Sequence, residues 1–329
     1  MSIFRLVATL TAGVVLNVGL AFPAAAQNLS PSYPNGPIRF IVPATAGGTT
    51  DILARLIGKH LTDAWHVTVT VENRAGAGGV VGAAALVASP PDGQTVLFVP
   101  SAFGVRSAID PNLRYDPLRD LAGIGLVARA PSFLIVSPSL GVKSVGELVA
   151  LGKSLPQGLE FGSAGVGSTA HLHGALFANM GGFKSLHVPF KGTPEAVSEV
   201  MAGRLKYAFS PGPNALPLAK DGKILVLASS SAAGAKFLPG VPTIAQSGLP
   251  GYEGEDWFGA LVPGKTPMAI REKLSKEFAL IMGDPKVRET LMSIGAEPVS
   301  STPIEFDAML KGYIEKTRKL ANEMNITVQ

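Results

Sequence analysis

Apolar residues recur along this chain in two rhythms. Short runs such as Ile38–Val42, Thr95–Val99 and Leu159–Gly162 lead into Gly, Pro or Ser and predict buried strands. Between them the apolar spacing lengthens to three and four. Ile52, Leu53, Leu56, Ile57 and Leu61 thus share one face of a helix predicted over 49–62. A strand over 67–71, an Ala-rich helix over 80–89 and a turn at Pro90–Gly93 complete the first stretch. Two apolar segments follow, Ile124–Ala128 and Phe133–Val136, and then a short helix over 145–152. The grammar then repeats. Helices are predicted over 168–180 and 194–202, and strands over 186–189, 205–210 and 224–229. Trp257–Val262 and two helices, over 267–282 and 303–324, close the chain. Strands alternating with helices predict an α/β protein with mainly parallel strands. There is no residue-level repeat between the halves. No long linker separates them, which points to a boundary made of crossing strands.

Two junctions in this pattern share a design. Strand Ile38–Val42 runs through Pro43, Ala46, Gly47, Gly48, Thr49 and Asp51 into its helix. Strand Leu159–Gly162 runs through Ser163, Gly165, Gly167, Ser168, Thr169 and His171 into another. A Gly-rich loop opening a helix presents unpaired N–H groups and the positive end of the helix dipole, which suits an anion. The same residues also fit ordinary helix caps, and spacing alone does not separate the two readings. If the loops lie in separate lobes, they can close on one carboxylate from both sides. Ser101 and Ser210 each end a strand where a pocket is expected.

The first residues bear on the cell compartment. Arg5 precedes an apolar stretch from Leu6 to Leu20, and Pro23–Ala26 supplies small residues for cleavage before Gln27. This predicts a signal peptide over 1–26 and a periplasmic product. The chain has 329 residues and no cysteine, so disulfides, thiolate metal sites and a lipid anchor on cysteine are excluded. Its net charge of +4 is scattered, with no basic stripe or aromatic platform for nucleic acid.

Catalytic signals are sparse. The Ser163 loop is not a nucleophile elbow, because Phe161 stands where glycine is required. Gly76–Gly82 is one residue out of step with a dinucleotide fingerprint. His171 and His173 fall on different helix faces and make a poor metal pair. His60, His66 and His187 have no companions in sequence that suggest catalysis. Glu253, Glu255 and Asp256 sit in a Gly-rich segment that reads as a solvated turn, and Trp257 reads as core. Neither a cofactor nor a metal is expected.

An ordered set of short motifs runs through nearly all of the chain beyond the signal segment. It starts at Tyr33-Pro-x-x-Pro37, continues with Pro43 and Gly47-Gly48-x-x-Asp51-x-x-Ala54-Arg55, and then Val71-Glu-Asn-Arg-x-Gly76. Pro91-Asp-Gly93, Gly162-Ser163 to His171-Leu172, His187-Val-Pro189 with Lys191-Gly192, and Pro242-Thr243 follow. Gly248-x-Pro250-Gly-Tyr252, Trp257-x-Gly259, Thr266-Pro267 and Gly295-Ala-Glu-Pro298 complete it. The set resembles the Bug family, the periplasmic solute receptors of tripartite tricarboxylate transporters.

The resemblance implies a periplasmic binding protein of type II: two Rossmann-like lobes joined by a hinge of crossing strands. Lobe 1 is expected over 27–127 plus 251–329 and lobe 2 over 128–250. It implies a monomeric receptor, not an enzyme, which captures a small carboxylate and hands it to integral-membrane permease subunits. A sensor of the same fold and an exported hydrolase are the alternatives. In relatives the two loops bind a ligand carboxylate, and here the matching positions are Ala46 to Asp51 and Ser163 to Thr169. Ser101 and Ser210 match positions that choose the rest of the ligand. The chain departs from the family pattern at Ala44, where relatives often carry an aromatic residue. It departs again at Ala175, near which they often carry an acid, and at Ser210-Pro211-Gly212. These departures leave ligand identity open among di- and tricarboxylates, acidic amino acids and aromatic acids.

Overall fold

A computed structural model of the chain describes residues 33–75, 79–236, 238–324 and 326–327. The expected signal segment and Gly76–Gly78 lie outside the described residues. The first half runs β1 (Ile38–Val42), α1 (Thr49–Trp65), β2 (Val69–Asn73), α2 (Val80–Val87), β3 (Thr95–Pro100) and α3 (Ser101–Ile109). After β4 (Leu121–Val136) and α4 (Val145–Ser154) the same order recurs. It is β5 (Leu159–Ser163), α5 (Thr169–Gly181), β6 (Ser185–Pro189), α6 (Thr193–Met201), β7 (Tyr207–Pro211) and α7 (Gly212–Lys220). β8 (Leu225–Ser229), β9 (Glu255–Pro263), α8 (Met268–Gly283), α9 (Pro285–Ser293), β10 (Glu297–Pro298) and α10 (Pro303–Glu323) follow.

The described strands form one mixed sheet in the order β2-β1-β3-β9-β4-β7-β5-β6, with β8 and β10 both paired to β4. The order is a near-palindrome. Each end carries a parallel trio with its first strand in the middle, β2-β1-β3 and β6-β5-β7. α1 therefore corresponds to α5, and α3 to α7. The centre is antiparallel, a departure from the mainly parallel expectation. There β4 pairs with β9 from Leu121 to Pro131, then with β7 from Ser132 to Ile135. These two crossing strands join two Rossmann-like lobes, and residues from Pro34 onward pack as one unit.

Both faces of β7 are covered, which explains its buried run from Tyr207 to Ser210. Tyr207 and Phe209 enter one core with Leu134, Phe161 and Phe177, while Ala208 enters another with Phe133, Ile135 and Val200. Alternate residues of one strand thus feed two cores. The first lobe buries Ile41, Leu97, Val99 and Phe103 against Phe306 and Ile314 of α10.

Three helices differ from the sequence expectation. α3 and α7 follow directly on their strands, with no loop between to announce them. α7 carries Pro213 in its first turn and Pro217 inside, so its sequence reads as a turn. α9 opens at Pro285 behind Asp284, whose carboxylate accepts from the amides of Lys286 and Val287. The two apolar segments near 124–136 are one strand of 16 residues. Pro131, at the point where β4 changes partner, divides them in the sequence.

Candidate ligand-binding site

The C-terminal ends of β1, β3, β5 and β7 each run into a helix N-terminus, the place where open α/β sheets bind ligands. The first such junction is held by Asp51. This carboxylate is 2% exposed. It accepts from Gly47 N–H and Arg55 Nε, both at 2.9 Å, through one oxygen, and from Asn73 Nδ2 at 2.9 Å through the other. Asn73 also donates to the Ala44 carbonyl at 3.1 Å, tying the loop to β2. Burial raises the Asp51 pKa, but the bonds from Arg55, Gly47 and Asn73 outweigh it and leave the carboxyl below its ordinary value. Gly48 caps α1 without a side chain, so no hydroxyl fills the helix N-terminus. Ala46 and Gly47 are exposed, and Gly48 and Thr49 are half-buried.

The second junction repeats this brace with a different group. Gly167 N–H donates to His171 Nδ1 at 3.3 Å, as Gly47 N–H donates to Asp51 four residues on. Both glycines sit at positive φ, +83° for Gly47 and +79° for Gly167, which turns each amide back toward the third helical residue. Ser168 caps α5 by accepting from His171 N–H at 3.2 Å and donating to the Gly165 carbonyl at 2.8 Å. The Ser163 hydroxyl accepts from Gly165 N–H at 3.1 Å and lies 2.6 Å from His187 Nε2. His187 in turn stacks on His171. Burial drives His171 to a pKa of about 4, with help from His187, and burial alone takes His187 to about 4. Both rings are therefore neutral at pH 7. Thr169 is half-buried in the first turn.

His187 is the main residue that sequence reading missed here. β5 and β6 run parallel with Phe161 opposite His187, which brings the ring beside Ser163. No sequence spacing links these residues. The fold thus gives His187 the neighbours Ser163 and His171. Among the described residues no carboxylate is hydrogen-bonded to this imidazole.

The crossing strands hold another correction. Asp256 is 8% exposed, not a solvated turn residue. Its carboxylate accepts from Ser101 Oγ at 2.7 Å and Ser132 Oγ at 2.8 Å. Ser101 begins α3, and Ser132 lies opposite Pro211 at the end of β7, so one carboxylate ties both lobes' third junctions. Glu255 bonds Ser231 Oγ at 2.8 Å and Arg129 at 3.2 Å, and burial is the main cause of its raised pKa. Ser210 is buried, and its hydroxyl contacts the Pro211 carbonyl at 3.3 Å. Trp257 is core, 3% exposed. Among the described residues no cluster of three His, Cys, Asp or Glu side chains could hold a metal.

Residues 53–326 match the family model described as "Tripartite tricarboxylate transporter family receptor". The chain belongs to that receptor family. It is 34% identical over 307 residues to the UPF0065 protein in the TAR-I ttuE-ttuC' intergenic region of Agrobacterium vitis, covering 92% of this chain and 88% of that one. It is 31% identical over 311 residues to Protein BugT of Bordetella pertussis, covering 94% of each. Among solved structures it resembles R. palustris Rpa4515 with adipate, with 32% identity, a TM-score of 0.79, and 90% and 99% of the two chains covered. It also resembles MatC from Rhodopseudomonas palustris with bound malate, with 26% identity, a TM-score of 0.75, and 88% and 99% covered. The fold is thus that of periplasmic binding proteins of this type.

Proposed function

We propose that this receptor captures a small organic carboxylate between its two lobes, in the periplasm, and delivers it to a tripartite membrane permease. The observation that carries the reading is the paired brace. Gly47–Asp51 and Gly167–His171 hold two loops in the same shape at equivalent helix N-termini of the two lobes. Each brace takes up one loop amide internally and leaves the first-turn amides of α1, and those of Thr169 and Ala170 in α5, for an anion. Structures of relatives with adipate and malate support a carboxylate as the ligand.

The cycle involves binding and no bond-breaking. The carboxylate docks on one loop, and lobe closure about β4 and β9 brings the other. The lobe boundaries are taken at 127/128 and 250/251. Each charge-assisted hydrogen bond contributes roughly 1.5–3 kcal/mol. Roughly four of them contribute about 6–12 kcal/mol before the ordering cost is subtracted, to be set against the ~8 kcal/mol of micromolar affinity. Ala44 and the Pro211-Gly212 start of α7 bring no charged side chain to their junctions, which favours larger acids, aromatic ones included.

Calorimetry against adipate, malate, citrate, glutamate and benzoate tests this. At least one acid should bind with micromolar or tighter affinity. Gly48→Leu should abolish that binding without unfolding the protein. A Cβ at Gly48 meets only the Thr45 carbonyl, at 3.6 Å, so the side chain extends into the loop's open side. Unchanged affinity in this variant would rule out the first loop.

A further inference from the structure

The two loops are built alike, but they are not equally free to receive an anion. Aligned on their brace glycines, Gly47 and Gly167, Thr49 matches Thr169, Asp51 matches His171, and Gly48 matches Ser168. Gly48 and Ser168 are the N-caps of α1 and α5. Their backbones nearly coincide, with φ −76° and ψ 165° at Gly48 and φ −74° and ψ 157° at Ser168. The two caps therefore differ chiefly by one hydroxymethyl group.

That group occupies the end of α5. The Ser168 hydroxyl accepts from His171 N–H at 3.2 Å and donates to the Gly165 carbonyl at 2.8 Å. Ser168 N–H donates to the same carbonyl at 3.2 Å, and Gly167 N–H is taken by His171 Nδ1. The amides of Thr169 and Ala170 are left for a ligand.

α1 has no such substitute, because no side chain caps it. Among the described residues the amides of Gly48, Thr49, Thr50 and Asp51 have no acceptor, and Ile52 N–H is the first to bond back, to the Gly48 carbonyl at 3.0 Å. Thr50 and Asp51 are buried. Buried amides without an acceptor cost free energy that a ligand oxygen recovers. The Asp51 charge opposes an anion here, but Arg55 at 2.9 Å offsets it, and Gly47 and Asn73 share the carboxylate.

We infer that the ligand carboxylate loads on α1, and that Ser168 acts as its internal substitute at α5, so that lobe 2 adds a weaker hold on closure. This division of labour rests on the carboxylate reading of the two loops. Within it the Ser168 hydroxyl competes with the ligand instead of contacting it, and Ser168 limits affinity.

The test exchanges the caps. Gly48→Ser sets a hydroxyl at the open end of α1. A Cβ there meets only the Thr45 carbonyl, at 3.6 Å, so the variant should fold with an equal or higher thermal midpoint. Ser168→Gly removes the substitute from α5, and Ser168→Ala does so without glycine's extra freedom. Calorimetry uses the tightest binder among adipate, malate, citrate, glutamate and benzoate. Gly48→Ser should weaken it by about tenfold or more, and the two Ser168 variants should tighten it by about threefold or more. Weaker or unchanged binding in both folded Ser168 variants would make the hydroxyl a ligand contact or a bystander and overturn the assignment. Unchanged affinity in Gly48→Ser would overturn it as well. If the wild-type receptor binds none of the five acids, the carboxylate reading itself fails, and this division of labour with it.

Discussion

The imidazoles of His171 and His187 lie face to face, 3.7 Å between centroids and 12° between planes. Protonating either ring places a charge against its neighbour in a half-buried setting. Protonation of His171 Nδ1 also removes the acceptor for Gly167 N–H. The unfolded chain titrates its histidines near 6.5, the folded pair near 4. Because the folded values are depressed, stability is full above pH 6.5 and falls as the pH drops toward 4, where the unfolded state binds protons that the fold excludes. The thermal midpoint should therefore decline over this window, and His171→Gln should decline less steeply. Parallel profiles would mean that the pair does not sense pH.

Asp51 organises the first loop, and its removal should show. Asp51→Asn keeps the shape but takes the charge from Gly47, Arg55 and Asn73. The expected loss is about 1–3 kcal/mol in unfolding free energy, with weaker carboxylate binding as the loop loosens. Arg55→Ala should do less, because Arg55 is half exposed. Denaturant melts of the two variants check the order. An equal loss would shift the weight from the carboxylate to the ion pair.

Asp256 joins Ser101 to Ser132 across the crossing strands. Ser101→Ala and Asp256→Asn should each destabilise by about 1–3 kcal/mol. Their double mutant should lose less than the sum, since Ser101→Ala removes the bond that Asp256→Asn weakens. Additive losses would separate the two residues and free the Ser101 hydroxyl for the ligand.

Much of this architecture was legible in the sequence, for local reasons. β1 falls at Ile38–Val42 as read, because a five-residue run that is apolar except for Arg39 and bounded by Pro has few other homes. α1 begins at the expected Thr49, and α10 begins at Pro303 behind the Thr302–Glu305 capping box. What escaped depends on tertiary placement. The prolines of α7 hide a helix whose position is set by β7 beneath it. Asp256 looks like a turn acid until Ser101 and Ser132 surround it. His187 becomes meaningful only once β6 lies beside β5. The two loops were visible as a shared pattern, but that Asp51 and His171 each take the amide of a glycine four residues back was not, because spacing cannot distinguish a side chain that caps from one that receives an amide.

A crystal structure of the receptor with its tightest-binding acid bears on the paired loops themselves. A single carboxylate should accept hydrogen bonds from amides or hydroxyls of both the Ala46–Asp51 and Ser163–Thr169 loops. A head group held by one loop alone, or bound elsewhere, would contradict the reading.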